Sequence, residues 1–443
     1  MDALAEAVIE GAPPGELERA AVPYEYTAAH LRKDEVEIFG DAADRDVRRS
    51  LRVGAVPMPE LAPDEVLIAT MASAVDHHTL AAATFAPRPS FAALEELGRE
   101  GGFEQRHDQP FHAVGSDAAG VVVRVGSAVR RWNVGDHVVV AGAWVDSQEP
   151  ATHADGMLSG EQRIWGAQTN YGGLGHYSLA RADQLLPKAP HLTWEEAASS
   201  TLCASTAYRM LVGERGARVK QGDIVLIWGA AGGIGSFAVQ LVRNAGGIAV
   251  GVVSGADKAR RVAELGCDVV IDRTELGLDE SGLGAAELGR RLGRVIRSEV
   301  GEDPHIAFDA TGEATFGISV YVVRRGGVVV TCGSGSGAWH TFDNRYLWMN
   351  LKRVIGSHAA NYQEAWECNR LLTLGRLSPV LSRTYPLAEV GEAARLLQDN
   401  AHLGKVGVLC LAPREGLGVT DPALRERIGE AKLRPFHAGA LTG

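Results

Sequence analysis

Residues Asp223–Gly247 read "DIVLIWGAAGGIGSFAVQLVRNAGG". An apolar run, Ile224–Trp228, has the length and branched composition of a buried strand. Four glycines follow within seven residues: Gly229, Gly232, Gly233 and Gly235. A helical pattern then runs to a second glycine stop at Gly246–Gly247. Strand, glycine turn and helix in that order form a nucleotide cradle. Glycines let the backbone approach a pyrophosphate, and the helix start offers free N–H groups at the positive end of its dipole. The spacing differs by one residue from the strict G-x-G-x-x-G pattern, so the flanking strand and helix carry the assignment. Gly229, Gly232, Gly233, Ile234 and Gly235 are the expected cofactor contacts.

The pattern continues outward from the turn. "IAVGVVS" is the next strand, "DKARRVAELG" a helix and "VVID" a third strand; "HIAFDATG" and "GGVVVTCG" repeat the style. Strands alternating with helices predict a parallel, doubly wound sheet. The second strand ends in Ser254, where an NAD site usually places an acid for the ribose diol. Lys258 and Arg273 follow. A hydroxyl and cations suit a 2′-phosphate, so NADPH is the expected cofactor. Thr206, in "STAYR", is a candidate nicotinamide contact.

Upstream the chain is rich in strands and turns. Residues 66–72 and 119–125 read as strands, and Gly135–Asp136 as a turn. Residues 86–112 read as a long loop holding a helix, and 145–165 as an irregular insertion. Thr193 is placed to cap a helical pair beginning "TWEEAASS". Residues 358–443 return to mixed structure. The expected architecture is α/β: a doubly wound Rossmann-type nucleotide domain, residues 205–357, inserted in a split β-rich (GroES-like) substrate domain, residues 1–204 plus 358–443.

The bulk composition narrows the partners. A formal net charge of −11 gives no electrostatic footprint for nucleic acid or an anionic membrane. No apolar run is long enough to span a bilayer. The start, "MDALAEAVIEGAPPGELERA", is acidic rather than a cationic leader. The five cysteines form no C-x-x-C pair, so a reducing cytoplasm is the expected setting. No metal is expected either. In "VGSDAAGVV", Ser116 stands where a zinc dehydrogenase of this architecture would have a histidine, and no cysteine precedes Cys203. Without a Lewis acid, the hydride acceptor should be an alkene already activated by a carbonyl or thioester.

The stretches "RHDQPFHAVGSDAAGVV", "EQRIWGAQTNYGG", "HLTWEEAASSTLCASTAYR", "DNRYLWMNLKRVIGSHAANY" and "GKVGVLCLAPREGLGVTDP" span nearly the whole chain. Through them the chain resembles the crotonyl-CoA carboxylase/reductases, within the zinc-free medium-chain dehydrogenase/reductase superfamily. The resemblance implies an acyl-CoA or acyl-carrier-protein thioester substrate, NADPH, carbon dioxide as a further reactant, and a homo-oligomer, tetramer or dimer. It also implies contacts from Arg345, Lys352 and Arg353 to the charged end of CoA.

The carboxylation pocket departs from the family pattern. "VNYNT" is "VDHHT" here, placing His78 for an asparagine. "WGFETN" is "WGAQTN", placing Ala167 for a phenylalanine and Gln168 for a glutamate; Asn170 is kept. "GSHFANY" is "GSHAANY", keeping His358. "FEHPG" is "FDATG". Gln168 loses the charge and basicity of the acid, Ala167 opens volume, and His78 adds a group able to donate a proton. The catalytic candidates are therefore His78, Gln168 and His358, with Ala167 and Asn170 lining the substrate. The expected reaction is plain reduction of an enoyl thioester, hydride to the β-carbon and proton to the α-carbon. The alternatives are a reductive carboxylase with altered acyl specificity and a non-catalytic NADPH-binding scaffold.

Overall fold

The computed structural model describes residues 1–278 and 282–436. It divides into two compact units. One comprises Met1–Leu202, Asn361–Gly375 and the chain from Leu381 onward; the other comprises Cys203–Ala360 and Arg376–Val380.

The second unit holds a six-stranded parallel sheet. Its strands are Ile224–Trp228, Ile248–Val253, Val269–Asp272, Ile306–Asp309, Val328–Thr331 and Arg353–Gly356. Numbered by sequence, they lie in the order 3-2-1-4-5-6. This is the doubly wound arrangement, whose direction reverses beside the first strand. That strand is wholly buried, and the helix Gly233–Asn244 packs Phe237, Ala238, Val239, Leu241 and Val242 inward. Burying each large apolar side chain stabilises the unit by about 1.5–3 kcal/mol.

The first unit is built on the eleven-residue strand Glu65–Val75, buried throughout. Ala119–Val125 and Lys405–Leu409 flank it, both antiparallel, and Tyr177–Arg181 also pairs with it. A strand from the far end of the chain thus completes a sheet begun near residue 65, as a split domain requires. A second, three-stranded sheet joins Arg52–Pro57, Glu25–Arg32 and Phe111–Ala113. The long loop carries the helix Phe91–Gly98. Thr193 and Glu196 form a reciprocal capping box at the helix Trp194–Ala198.

The unit limits differ from the domain limits expected from sequence. His358, Ala359 and Ala360 belong to the nucleotide unit, and so does the return segment 376–380. Side chains from the glycine-turn helix hold that segment. The Gln240 amide exchanges two hydrogen bonds with the Ser378 backbone, and Asn244 donates to the Arg376 carbonyl. Neither pairing has a local sequence signal.

Candidate functional site

In the nucleotide unit the glycines after the first strand do three separate jobs. Gly229 has φ +63°, the left-handed region that glycine enters freely. A Cβ on Gly235 would overlap the Gly229 carbonyl, so this glycine permits the turn to fold against its own helix. At Gly232 nothing lies nearer than 3.4 Å to the place of a Cβ. Gly232 is the N-cap of the helix and supplies no side-chain cap. The N–H groups of Gly233, Ile234 and Gly235 stand at the uncapped helix start, where orphan donors suit an anion.

At the far end of the second strand, Ser254 is half-buried. Two acids lie close by: Asp257 is exposed and paired with Arg260, and Asp272 accepts from the Gly255 and Thr274 amides and from the Thr274 hydroxyl at 2.7 Å. Lys258 is held below its usual range, first by burial and then by the positive charge of Arg273. Two cations thus face one region while Asp272 is held by Gly255 and Thr274 and Asp257 by Arg260. The cradle and this cation pair fit a dinucleotide carrying a 2′-phosphate. Thr206 lies buried in the helix Thr201–Leu211. Asp309, of the "FDATG" turn, is fully buried; it accepts from Thr311 N, Gly312 N, Thr315 Oγ1 and Ser319 Oγ. Its role is to lock the loop after the fourth strand.

The three cations expected at the CoA end separate. Arg345 is exposed and fork-bonded to Asp343, next to the edge-to-face ring pair Tyr321–Tyr346 at 4.6 Å. Lys352 is not free to meet a phosphate. Its Nζ donates to the Val320 and Tyr321 carbonyls at 2.8 and 2.9 Å, closing the end of the helix Glu313–Val322. Burial pushes that amine down to about 8. Arg353 opens the last strand and lines a cleft at the amino ends of the strands, opposite the glycine turn.

In the other unit, "VGSDAAG" and "RIWGAQTNYGG" prove to be one structure. Gly115 N donates to Gly166 O, Gly172 N to Ala113 O, Gly173 N to Gly115 O and Leu174 N to Val114 O, all within 3.0 Å. Gly166 has φ +66°, and a Cβ there would overlap the Gly115 carbonyl. These glycines let two backbones touch.

Asn170 sits inside this seam, 1% exposed. Its Oδ1 accepts from the Ala113 and Tyr171 amides, and its Nδ2 donates to the Phe111 and His107 carbonyls. All four of its side-chain hydrogen-bonding positions are committed, which corrects the expectation that it lines the substrate: Asn170 braces the loop. Gln168 is half-buried, and its Oε1 accepts from Ile164 N at 2.9 Å. A glutamate would accept that bond equally; the amide adds a donor, Nε2. Ala167 is half-buried beside it.

His78 lies in the helix His77–Ala83, whose N-cap Asp76 accepts from the Thr79 amide. His78 Nδ1, Asp76 Oδ2 and Ser116 Oγ are buried atoms without a hydrogen-bond partner among the described residues. Val75 pairs with Val406, which sets Asp76 beside Lys405. Burial pushes the Asp76 carboxyl up, but Lys405 and His78 pull it below its ordinary value. Lys405 Nζ also meets Asp117 at 2.8 Å, both fully buried, and Asp117 accepts from Leu202 N as well. His358 is exposed and belongs to the nucleotide unit.

His107 and His112, which no sequence motif marks, both support the amide loop. His112 Nε2 donates to Thr169 O and its Nδ1 accepts from Ser90; burial pushes it down to about 4. His107 Nδ1 accepts from Asn170 N, and its Nε2 faces Glu104 at 3.2 Å. Glu104 in turn meets Arg181 at 3.1 Å. The Lys405–Asp117 pair was also missed; its one signal is a lysine opening the apolar run "KVGVLCL".

Among the described residues no group of three or more His, Cys, Asp or Glu is placed to hold a metal ion, and no helix is long and apolar enough to cross a membrane. The zinc-binding dehydrogenase family matches residues 233–373, and the alcohol dehydrogenase GroES-like domain matches residues 62–190. A crotonyl-CoA reductase of Streptomyces collinus is 49% identical over 91% of this chain and 92% of its own. A crotonyl-CoA carboxylase/reductase of Cereibacter sphaeroides is 38% identical over 83% and 86%. The solved structure of the 2-octenoyl-CoA carboxylase reductase CinF of a Streptomyces species, in complex with NADP and 2-octenoyl-CoA, is 56% identical. It covers 98% of this chain and 99% of its own, with a TM-score of 0.96.

Proposed function

The chain belongs to the crotonyl-CoA carboxylase/reductase family, and from that premise we propose that it is a reductive carboxylase of a medium-chain 2-enoyl-CoA. It is an enzyme of NADPH-dependent redox chemistry on an enoyl-CoA-like thioester. The observation that carries the finer reading is the 56% identity, over 98% of the chain, to a 2-octenoyl-CoA carboxylase reductase. This supports the reductive-carboxylase alternative over the expectation of plain reduction. That expectation rested on three changes together: the lost acid at Gln168, the volume opened at Ala167 and the proton donor at His78. Gln168 keeps the bond to Ile164 N, so the loop geometry does not depend on the charge.

NADPH, when bound, supplies a hydride to the β-carbon of the enoyl thioester. The chain's residues then have separate tasks. The amides of Gly233, Ile234 and Gly235 hold the pyrophosphate, and Lys258, Arg273 and Ser254 the 2′-phosphate. Thr206 contacts the nicotinamide. Arg345 takes the nucleotide end of CoA. Ala167 leaves volume for a longer acyl chain than a phenylalanine would. His78 and Gln168 Nε2 are the N–H donors proposed to hold carbon dioxide against the α-carbon. There a new C–C bond uses the electron pair that a proton would otherwise take. The open edge strand Arg353–Gly356, beside exposed Trp348, Met349 and Leu351, supports a homo-oligomer.

The test is product mass. Protein, NADPH and 2-octenoyl-CoA or crotonyl-CoA are mixed with and without bicarbonate. A bicarbonate-dependent hexylmalonyl-CoA, formed faster than ethylmalonyl-CoA from crotonyl-CoA, is the expected result. Saturated acyl-CoA as the sole product in both conditions would restore plain reduction. No NADPH oxidation at all would favour the scaffold.

A further inference from the structure

The nucleotide unit has a second concave site that the reaction does not use. At the amino ends of the first, fourth, fifth and sixth strands lies a cleft of about 640 Å³. The glycine turn is at the opposite, carboxyl ends, where nucleotide ligands of such sheets bind. The cleft is lined by Arg218, Lys220, Arg324 and Arg353. Arg218, Lys220 and Arg353 make no ion pair with a carboxylate among the described residues, and Arg324 has only a 3.7 Å contact with exposed Glu302. The one acid on the wall, Asp223, is 6% exposed and accepts from Lys220 N.

His305 adds an N–H that lies 3.9 Å from Asp223 Oδ1, the wall's own carboxylate. Its Nδ1 accepts from Ile224 N at 3.1 Å, so Nε2 carries the hydrogen. Arg218 holds φ +59°, a conformation that would suit glycine and costs an arginine. Four cations around one cleft, on a chain with net charge −11, are not a general property of this surface.

From this arrangement we infer an anion site for a polyphosphate, a ligand with several negative charges within the span of the cleft. Exposed single ion pairs hold little, so one phosphate gains little here. A chain of phosphates engages several cations at once, with guanidinium groups meeting its oxygens in pairs.

The probe is inorganic tripolyphosphate, titrated calorimetrically into the full-length assembled enzyme saturated with NADP and CoA so that those sites are filled. One site per chain is expected, weakening as salt rises. Orthophosphate should bind at least about tenfold more weakly. The double variant Arg218→Gln/Lys220→Gln should lose about tenfold or more in tripolyphosphate affinity, with the rate of NADPH oxidation unchanged. Arg218→Gly, which suits the left-handed backbone, provides a second variant that retains the fold and should also bind more weakly. ADP and ATP arms tell whether a nucleoside adds to the phosphates. No binding to the wild type, equal binding of orthophosphate, or tripolyphosphate affinity untouched in both variants would overturn the site.

Discussion

Two glycine-rich turns in this molecule use the same residue for opposite ends. Around Gly232 glycine leaves room: nothing lies within 3.4 Å of a Cβ, and the helix start is uncapped. Around Gly166 glycine removes room, because the Gly115 carbonyl occupies the place of its side chain. At Gly232 the first turn is open and suited to a ligand, while Gly235 closes it on its own helix. The second is closed, and its contacts hold two loops of the substrate unit together. The difference separates what substitutions should do. Changes in the closed turn should register in stability, and a change at Gly232 in affinity.

The largest effect is expected at Gly166→Ala. It combines a left-handed backbone with a backbone overlap, and should cost about 4 kcal/mol or more in chemical denaturation. A loss under about 1 kcal/mol would mean the two loops can part cheaply. Next comes pH. His112 is neutral in the fold with its pKa lowered from 6.5 to about 4. The unfolded chain therefore binds more protons between those values. The contribution of His112 is complete above pH 6.5 and is lost as pH falls toward 4, by about 3 kcal/mol. Replacing His112 with Gln should flatten that part of the stability–pH curve; an unchanged slope would assign it to other groups.

Asn170→Ala leaves two backbone amides and two carbonyls without their partner and should cost about 2–3 kcal/mol. In line with its role as a brace, the KM for the acyl thioester should change little at a temperature where the variant stays folded. A large rise in KM with stability intact would return Asn170 to the substrate. The smallest effects belong to the open turn. Gly232→Ala and Lys258→Gln should each weaken NADPH binding about tenfold, near 1.4 kcal/mol, and leave the melting temperature within a degree or two. Lys258→Gln should affect NADH far less. Equal losses for the two cofactors would take Lys258 off the 2′-phosphate.

The same contrast explains what the sequence disclosed. The open turn is legible because its parts are consecutive: strand, glycines and helix lie within Ile224–Asn244, and the strands after it repeat the pattern. The closed turn is assembled from afar. Asn170 looks like a ligand-binding amide until Ala113 and Phe111, 57 and 59 residues earlier, are seen to occupy it. Lys352 looks like a phosphate cation until two helix-end carbonyls are found on its amine. A polar side chain advertises its chemistry in sequence, but what has already satisfied it is known only when distant segments meet. The glycines of "WGAQTNYGG" did signal close backbone approach, without saying to what.

The strand Lys405–Leu409 carries a consequence for the order in which the molecule is made. A ribosome releases Glu65–Val75 and Asp117 early, but the neighbour that completes their sheet begins at Lys405, 288 residues after Asp117 and further still from Val75. Until then Asp117 has no counter-charge and must stay hydrated, so that part of the sheet cannot close. Cys203–Ala360 has no such wait: its six strands are contiguous in the chain and can pair as they appear. The inserted unit is therefore the one free to fold during synthesis, while the unit that begins the chain is finished last.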